Sequence, residues 1–222
     1  MKSAVIVFPG SNCDRDVAVA LEKTSGKKPE MVWHGENTLP PGLDLIVLPG
    51  GFSYGDYLRC GAIANFANIM PSIKSFVEKG GLVLGICNGF QILVESHLLP
   101  GALMRNQGLK FVCKDVEIRT ENNQTPFTQK CSKGQKLRIP IAHHDGNYYI
   151  DAETHKSMND NGQITFRYVG ESPNGALDNI AGITNKKGNV LGMMPHPERL
   201  ADPVLGGTDG KFIFDSLLSQ FN

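Results

Sequence analysis

The pentapeptide Gly85-Ile86-Cys87-Asn88-Gly89 carries the strongest chemical signal in the 222-residue chain. An apolar run, Leu82 to Ile86, precedes it, and a helical pattern with Gln91 and Ile92 in its first turn follows. A Gly-x-nucleophile-x-Gly stretch between strand and helix is a nucleophile elbow, here with Cys in place of Ser. The glycines flank the nucleophile because side chains would clash in so tight a turn. The turn also sets the sulfur near a helix N-terminus, where the dipole favours negative charge and so the reactive thiolate. The N–H of Asn88 would then face the oxyanion of a tetrahedral intermediate. Taken alone, the stretch also fits a buried Cys in a glycine-rich turn.

A thiolate needs a base, and Pro195-His196-Pro197-Glu198 supplies one. Residues i and i+2 of an extended segment point the same way, so His196 and Glu198 are expected to share a face. Pro197 moves His196 out of the α region. The carboxylate can then orient the imidazole and stabilise its charged form while the other ring nitrogen meets the sulfur. A third piece, Leu48-Pro49-Gly50-Gly51-Phe52-Ser53-Tyr54-Gly55-Asp56, has a Gly-Gly loop just past an apolar run. Its backbone N–H groups can offer a second oxyanion donor. Alone, the first of these fits a surface His in a Pro-rich turn, and the second an ordinary turn.

These pieces need elements to position them. In the first half, apolar strands at 3–8, 30–33, 43–48 and 82–86 alternate with helical stretches. The first helix follows Ser11 or Asn12 as cap, with Asp14 and Asp16 in its first turn favouring the dipole. Another runs from about 61 to 79, with Pro71 marking a break or a new first turn, and a third covers 88–97. Strands separated by helices imply right-handed crossovers and a parallel sheet. Extended patterns dominate the second half, at 111–119, 136–142, 163–169, 180–184 and 190–194, before a last helix at about 211–220. No linker, repeat or low-complexity segment interrupts the chain. The expectation is one α/β domain over 1–222, flavodoxin-like and doubly wound, with a mostly parallel sheet and helices on both faces. In such folds ligands sit at the carboxyl ends of the strands, where the His196–Glu198 pair could reach Cys87 from a neighbouring strand.

Composition narrows the function classes. Lys+Arg and Asp+Glu both number 22, and this zero net charge argues against a nucleic-acid or membrane surface. Five scattered cysteines (13, 60, 87, 113 and 131) form no CxxC pair or zinc spacing, so a reduced cytoplasmic protein without a metal site is expected. The N-terminal apolar run is too short for a signal segment, and nothing approaches the roughly 20 apolar residues of a membrane span. No phosphate-binding Gly-x4-Gly-Lys-[Ser/Thr] loop occurs; Gly206 to Phe212 fails both the spacing and the hydroxyl.

Together, Pro-Gly-Gly after the third strand, Gly-x-Cys-x-Gly-x-Gln and Pro-x-His-Pro-Glu resemble the triad (class I) glutamine amidotransferases. Pro9-Gly-Ser-Asn-Cys-Asp-Arg-Asp16, Gly51-Phe-Ser-Tyr-Gly-Asp-Tyr-Leu-Arg-Cys-Gly-Ala62, Gly85-Ile-Cys-Asn-Gly-Phe-Gln91 and Met194-Pro-His-Pro-Glu-Arg199 resemble the PurQ type. That type is the glutaminase subunit of phosphoribosylformylglycinamidine synthase in purine synthesis. The resemblance runs from residue 4 to the C-terminal helix. It implies Cys87 as nucleophile, His196 as general base and Glu198 as its orienting carboxylate. It further implies that Gln91 and the backbone at Gly51 and Phe52 help to hold glutamine or its oxyanion. It implies no cofactor in this chain, with ATP and Mg on a separate large PurL-type synthetase, joined by a small PurS-type subunit. One stretch departs from the pattern. Ala142-His143-His144-Asp145-Gly146 stands where many relatives read Ala-His-Gly-Glu-Gly, so no role carries over there. Two rivals stand beside this reading: a free-standing cysteine hydrolase (γ-glutamyl peptidase or PfpI-like), and a binding module that does no chemistry. The complete Cys87, His196 and Glu198 set argues against the second.

Overall fold

Five strands form the parallel half of a nine-stranded sheet. They are β1 (Ser3–Val7), β2 (Glu30–Trp33), β3 (Leu45–Leu48), β4 (Leu82–Ile86) and β11 (Val190–Met193), in the order β2-β1-β3-β4-β11. All residues of β3, β4 and β11 are buried, so both faces of the sheet are covered, as continuous Leu/Ile/Val runs require. The order is that of a doubly wound, flavodoxin-like sheet. The structure is a computed structural model that describes residues 1–221.

Four helices lie along this frame: α1 (Asp14–Ser25), α2 (Met70–Glu78), α3 (Asn88–Glu95) and, at the C-terminus, α5 (Lys211–Leu218), which packs against α1. Pro71 opens α2 rather than breaking a longer helix, because its fixed φ suits the first turn. The segment before it, expected as helix from 61, contains only a short 3₁₀ turn at Ala64–Phe66. Neither Ser11 nor Asn12 caps α1. Cys13 holds the N-cap position, with no side-chain cap bond, and the Ser11 hydroxyl instead accepts the Phe8 N–H at 3.1 Å.

Beyond β11 the sheet turns antiparallel through β10 (Ile180–Thr184), β9 (Ile164–Tyr168), β6 (Val112–Thr120) and β7 (Lys136–His143). Three elements had no clear sequence signature. Strands β5 (Ala102–Met104) and β8 (Asn147–Tyr149) pair in a small separate sheet, and α4 (Ala152–Asp160) buries only Met158. Among the described residues, no helix is long and apolar enough to cross a membrane.

Register positions the chemistry. Gly85 pairs with both Leu48 of β3 and Gly192 of β11, and Ile86 pairs with Met193. The chain therefore leaves three adjacent parallel strands at one level: the Gly50-Gly51 loop, Cys87, and the segment leading to His196.

Candidate active site

Cys87 sits between β4 and α3 at φ 51°, ψ −105°. Such a conformation costs a non-glycine residue about 1–3 kcal/mol and persists only where its surroundings enforce it. Here they do. Cys87 N–H continues the β4–β11 ladder to Met193 O at 2.8 Å, while Cys87 O accepts Gln91 N–H at 3.1 Å to start α3. Gly89 passes so close to β3 that a Cβ there would collide with the Leu48 carbonyl. The sulfur is almost wholly buried, 3.7 Å from Ala142 O of β7. Three other thiols stand in different surroundings. Burial, with Asp56 and Asp145 beside it, pushes the Cys60 thiol far up, and burial raises Cys131 to about 11. Cys113 is exposed on β6.

His196 follows β11 and is tied to β7 by its N–H, which donates to Pro140 O at 2.9 Å. Its Nδ1 lies 2.7 Å from Glu198 Oε1. The expected pairing is present, but not on an extended segment. Pro197–Leu200 is a 3₁₀ turn opened by Pro197, and the pair meets across its start. Nor is the pair a strand-end surface feature, since both residues are buried. Burial opposes a charged imidazole; Glu198, with the Cys87 and Cys13 sulfurs, outweighs it and holds His196 well above the ordinary range. The buried Nε2 has no hydrogen-bond partner among the described residues. The Cys87 sulfur is nonetheless near enough to the ring to be one of the groups that raise it. A loose nucleophile–base contact of this kind tightens when substrate binds. The unpaired nitrogen is free to give up and retake a proton.

Of the backbone positions expected as oxyanion donors, the two in the glycine loop behave differently. Phe52 N–H is already given to Gly10 O at 2.8 Å, whereas no protein acceptor is bonded to Gly51 N–H among the described residues. Gly51 has φ 143°, and a Cβ there would fall 2.5 Å from Asn12 N and Gly10 O. Only glycine lets the loop turn so close to the Gly10–Asn12 backbone. The side chains of Asn88 and Gln91 are engaged within the protein. Asn88 Oδ1 accepts Ser53 N–H at 3.0 Å, and its Nδ2 donates to Gln91 Oε1 at 2.9 Å and Asp56 Oδ1 at 3.2 Å. Gln91 Nε2 donates to Asp145 O at 2.6 Å. This amide chain ties the 50–56 loop, the elbow and the variant 143–146 loop into one unit.

The variant loop holds a second buried histidine. His143 Nδ1 is 3.1 Å from Asn106 Oδ1, and its Nε2 is 3.4 Å from Asn174 Nδ2. These partners fit a neutral ring that donates from Nδ1 and accepts at Nε2. Burial, reinforced by His196, lowers its pKa to about 4. Asn106 Oδ1 also accepts Gly146 N–H at 3.0 Å. Between this loop and Phe52 opens a cavity of about 580 Å³ lined in part by Asp56, Arg59, Arg105 and Asp145. Sequence reasoning missed Asn106 and Asn174 and saw Cys13 and Arg199 only as parts of motifs. The two asparagines reach the site from distant segments, and no local pattern marks them.

A cysteine elbow, a carboxylate-supported imidazole and a glycine-loop amide at the carboxyl ends of a flavodoxin-like sheet define a class I glutamine amidotransferase. Residues 1–207 match the family model described as the CobB/CobQ-like glutamine amidotransferase domain, and the chain belongs to that family. It is 47% identical to a chain of the PurLQS structure from Thermotoga maritima, with a TM-score of 0.91, covering 100% of this chain and 99% of that one. The fold also matches two more distant structures. One, from Thermoplasma acidophilum, is provisionally assigned to GMP synthase (14% identity, TM-score 0.64, covering 100% and 96%). The other is a glutamine amidotransferase from Thermotoga maritima (18% identity, TM-score 0.58, covering 90% and 77%).

Proposed function

We propose that the chain is the glutaminase subunit of phosphoribosylformylglycinamidine synthase, hydrolysing glutamine to glutamate and passing ammonia to a synthetase. The observation that carries the chemistry is the juxtaposition of Cys87, held at positive φ, with the buried and carboxylate-paired His196. Cys87 Sγ attacks the glutamine side-chain amide carbon as the thiolate, beside a His196 that already holds its proton. The oxyanion receives the N–H groups of Asn88 and Gly51. As the tetrahedral intermediate collapses, the C–N bond breaks and His196 returns the proton to the departing ammonia. A γ-glutamyl thioester remains on Cys87. Water, deprotonated by His196, then attacks it and releases glutamate and the thiol.

The full-length likeness to a chain of the PurLQS structure supports the pathway and the partners, a large PurL-type and a small PurS-type subunit. On this reading the synthetase converts formylglycinamide ribonucleotide to formylglycinamidine ribonucleotide, and ATP and Mg bind there. The setting is the cytoplasm, and the amidotransferase unit spans 1–222, since α5 packs on α1. Reconstitution with PurL- and PurS-type subunits tests it. Glutamine-dependent amidation should appear only with all three, and the isolated chain should be a poor glutaminase. Full glutaminase activity without partners, unchanged by adding them, would favour a free-standing hydrolase.

A further inference from the structure

The stretch Pro9–Asp16 carries one of the most distinctive motifs of the chain, yet none of its residues enters the chemistry above. Its contacts run to both halves of the machinery. Pro9 O accepts Tyr54 N–H at 2.7 Å, Gly10 O accepts Phe52 N–H at 2.8 Å, and Cys13 N–H donates to Gly50 O at 3.2 Å, so the oxyanion loop rests on this segment. On the other side, Arg199 Nη2 donates to Cys13 Sγ at 3.1 Å, and Arg199 Nε lies 3.3 Å from Asp16 Oδ2. Arg199 directly follows Glu198 in the 3₁₀ turn.

Cys13 lies against the catalytic pair itself. Its sulfur, a His196 ring nitrogen and a Glu198 oxygen are all within 4.8 Å of one another. The point that a Cβ of Gly50 would occupy is 2.7 Å from His196 Cε1 and 3.3 Å from Cys13 Sγ. The imidazole is therefore bounded on that edge by the Gly50 backbone and the Cys13 sulfur, and its Nε2 has no hydrogen-bond partner among the described residues. The sulfur already receives the Arg199 guanidinium, which also faces the Glu198 carboxylate.

We propose that Cys13 and Arg199 are positioning residues for the His196–Glu198 pair, a sulfur–guanidinium clamp joining the start of α1 to the turn that carries the base. The proposal rests on His196 being that base. A side chain displaced by a fraction of an ångström loses much of the benefit of alignment, so supporting contacts of this kind control rate more than binding. Serine keeps an acceptor where cysteine has one; alanine removes it. The clamp also bears on charge. The groups facing His196 are Glu198, Cys87, Cys13 and, from the 143–146 loop, His143, with Arg199 and Asp16 behind the pair. Removing the Cys13 sulfur takes away one stabiliser of the protonated ring, so His196 should lose its proton at lower pH.

The test uses the reconstituted complex with Cys13→Ala, Cys13→Ser and Arg199→Ala. For Cys13→Ala, kcat with glutamine should fall about ten-fold with KM nearly unchanged, and the alkaline limb of the rate profile should move to lower pH. Cys13→Ser should recover most of the rate, and Arg199→Ala combined with Cys13→Ala should cost little more than either alone. The proposal is overturned if Cys13→Ala keeps the wild-type rate and pH profile. It is equally overturned if all three variants lose activity only in proportion to a lowered Tm, with serine no better than alanine. Glutamine trapping on the wild-type protein separates this from the parent reading. A thioester on Cys87 with an inert clamp refutes the clamp alone, and a thioester elsewhere refutes both.

Discussion

His196 and His143 are 2% and 3% exposed, sit in the same site, and are held in opposite states. Burial penalises a charged ring in both. At His196 a carboxylate at 2.7 Å and two sulfurs repay that penalty; at His143 the partners are two neutral amides, Asn106 and Asn174. Burial thus sets the cost of charge, while the identity of the partner decides whether the charge is kept. One histidine becomes a proton carrier, and the other a structural link that fastens the 143–146 loop.

The contrast has opposite consequences for stability. His196, raised above its unfolded value, contributes stability that is fully present below about pH 6.5 and lost as pH rises through its folded value. His143, at about 4 in the folded state, takes up a proton more readily unfolded. It therefore destabilises the fold progressively as pH falls from about 6.5 towards 4, by a limit on the order of 3 kcal/mol.

Substitutions at the two histidines should differ most. His196→Ala should lower glutamine-dependent turnover of the reconstituted complex by roughly 10²–10⁴-fold, because it removes both proton transfers. His143→Gln should cost far less. Equal losses would end the distinction between carrier and link. Glu198→Gln should cost about ten-fold, since its amide oxygen can still accept the ring N–H and a cysteine needs less help than a serine. It should also move the alkaline limb of the rate profile to lower pH, as the carboxylate charge is gone. Complete loss, equal to that of His196→Ala, would assign Glu198 a direct proton role. His143→Gln should flatten the fall in urea-unfolding stability between pH 7 and pH 5; an unchanged slope would show that another group titrates. Smallest in free energy, Asn106→Asp should convert His143 towards the His196 state. Its imidazole resonances should then titrate well above pH 4, and no shift would mean that burial alone sets that ring.

The same contrast explains what the sequence makes legible. The elbow, the Pro-His-Pro-Glu segment and the Gly-Gly loop are contiguous, and their chemistry follows from local rules about turns, proline and helix ends. The alternating strands and helices of the first half are legible for the same reason. His143 shows its two partners only after folding, because Asn106 and Asn174 lie more than thirty residues away on either side. Cys13 and Arg199, 186 residues apart, are a similar case. Even within a motif, geometry can differ from pattern. His196 and Glu198 meet across a 3₁₀ turn, since Pro197 fits the first position of a helical turn as readily as an extended stretch. The polar α4 and the three-residue strands β5 and β8 lack the apolar periodicity that would reveal them.

All of this depends on Cys87 being the sulfur that His196 serves, and two buried cysteines lie beside that imidazole. Quenching the reconstituted complex in acid during turnover of labelled glutamine, then mapping the γ-glutamyl thioester by peptide mass spectrometry, separates them. The label should fall on Cys87 alone and vanish in Cys87→Ala, while synthesis driven by added ammonium salt persists. A thioester on Cys13, or one that survives Cys87→Ala, would contradict the account.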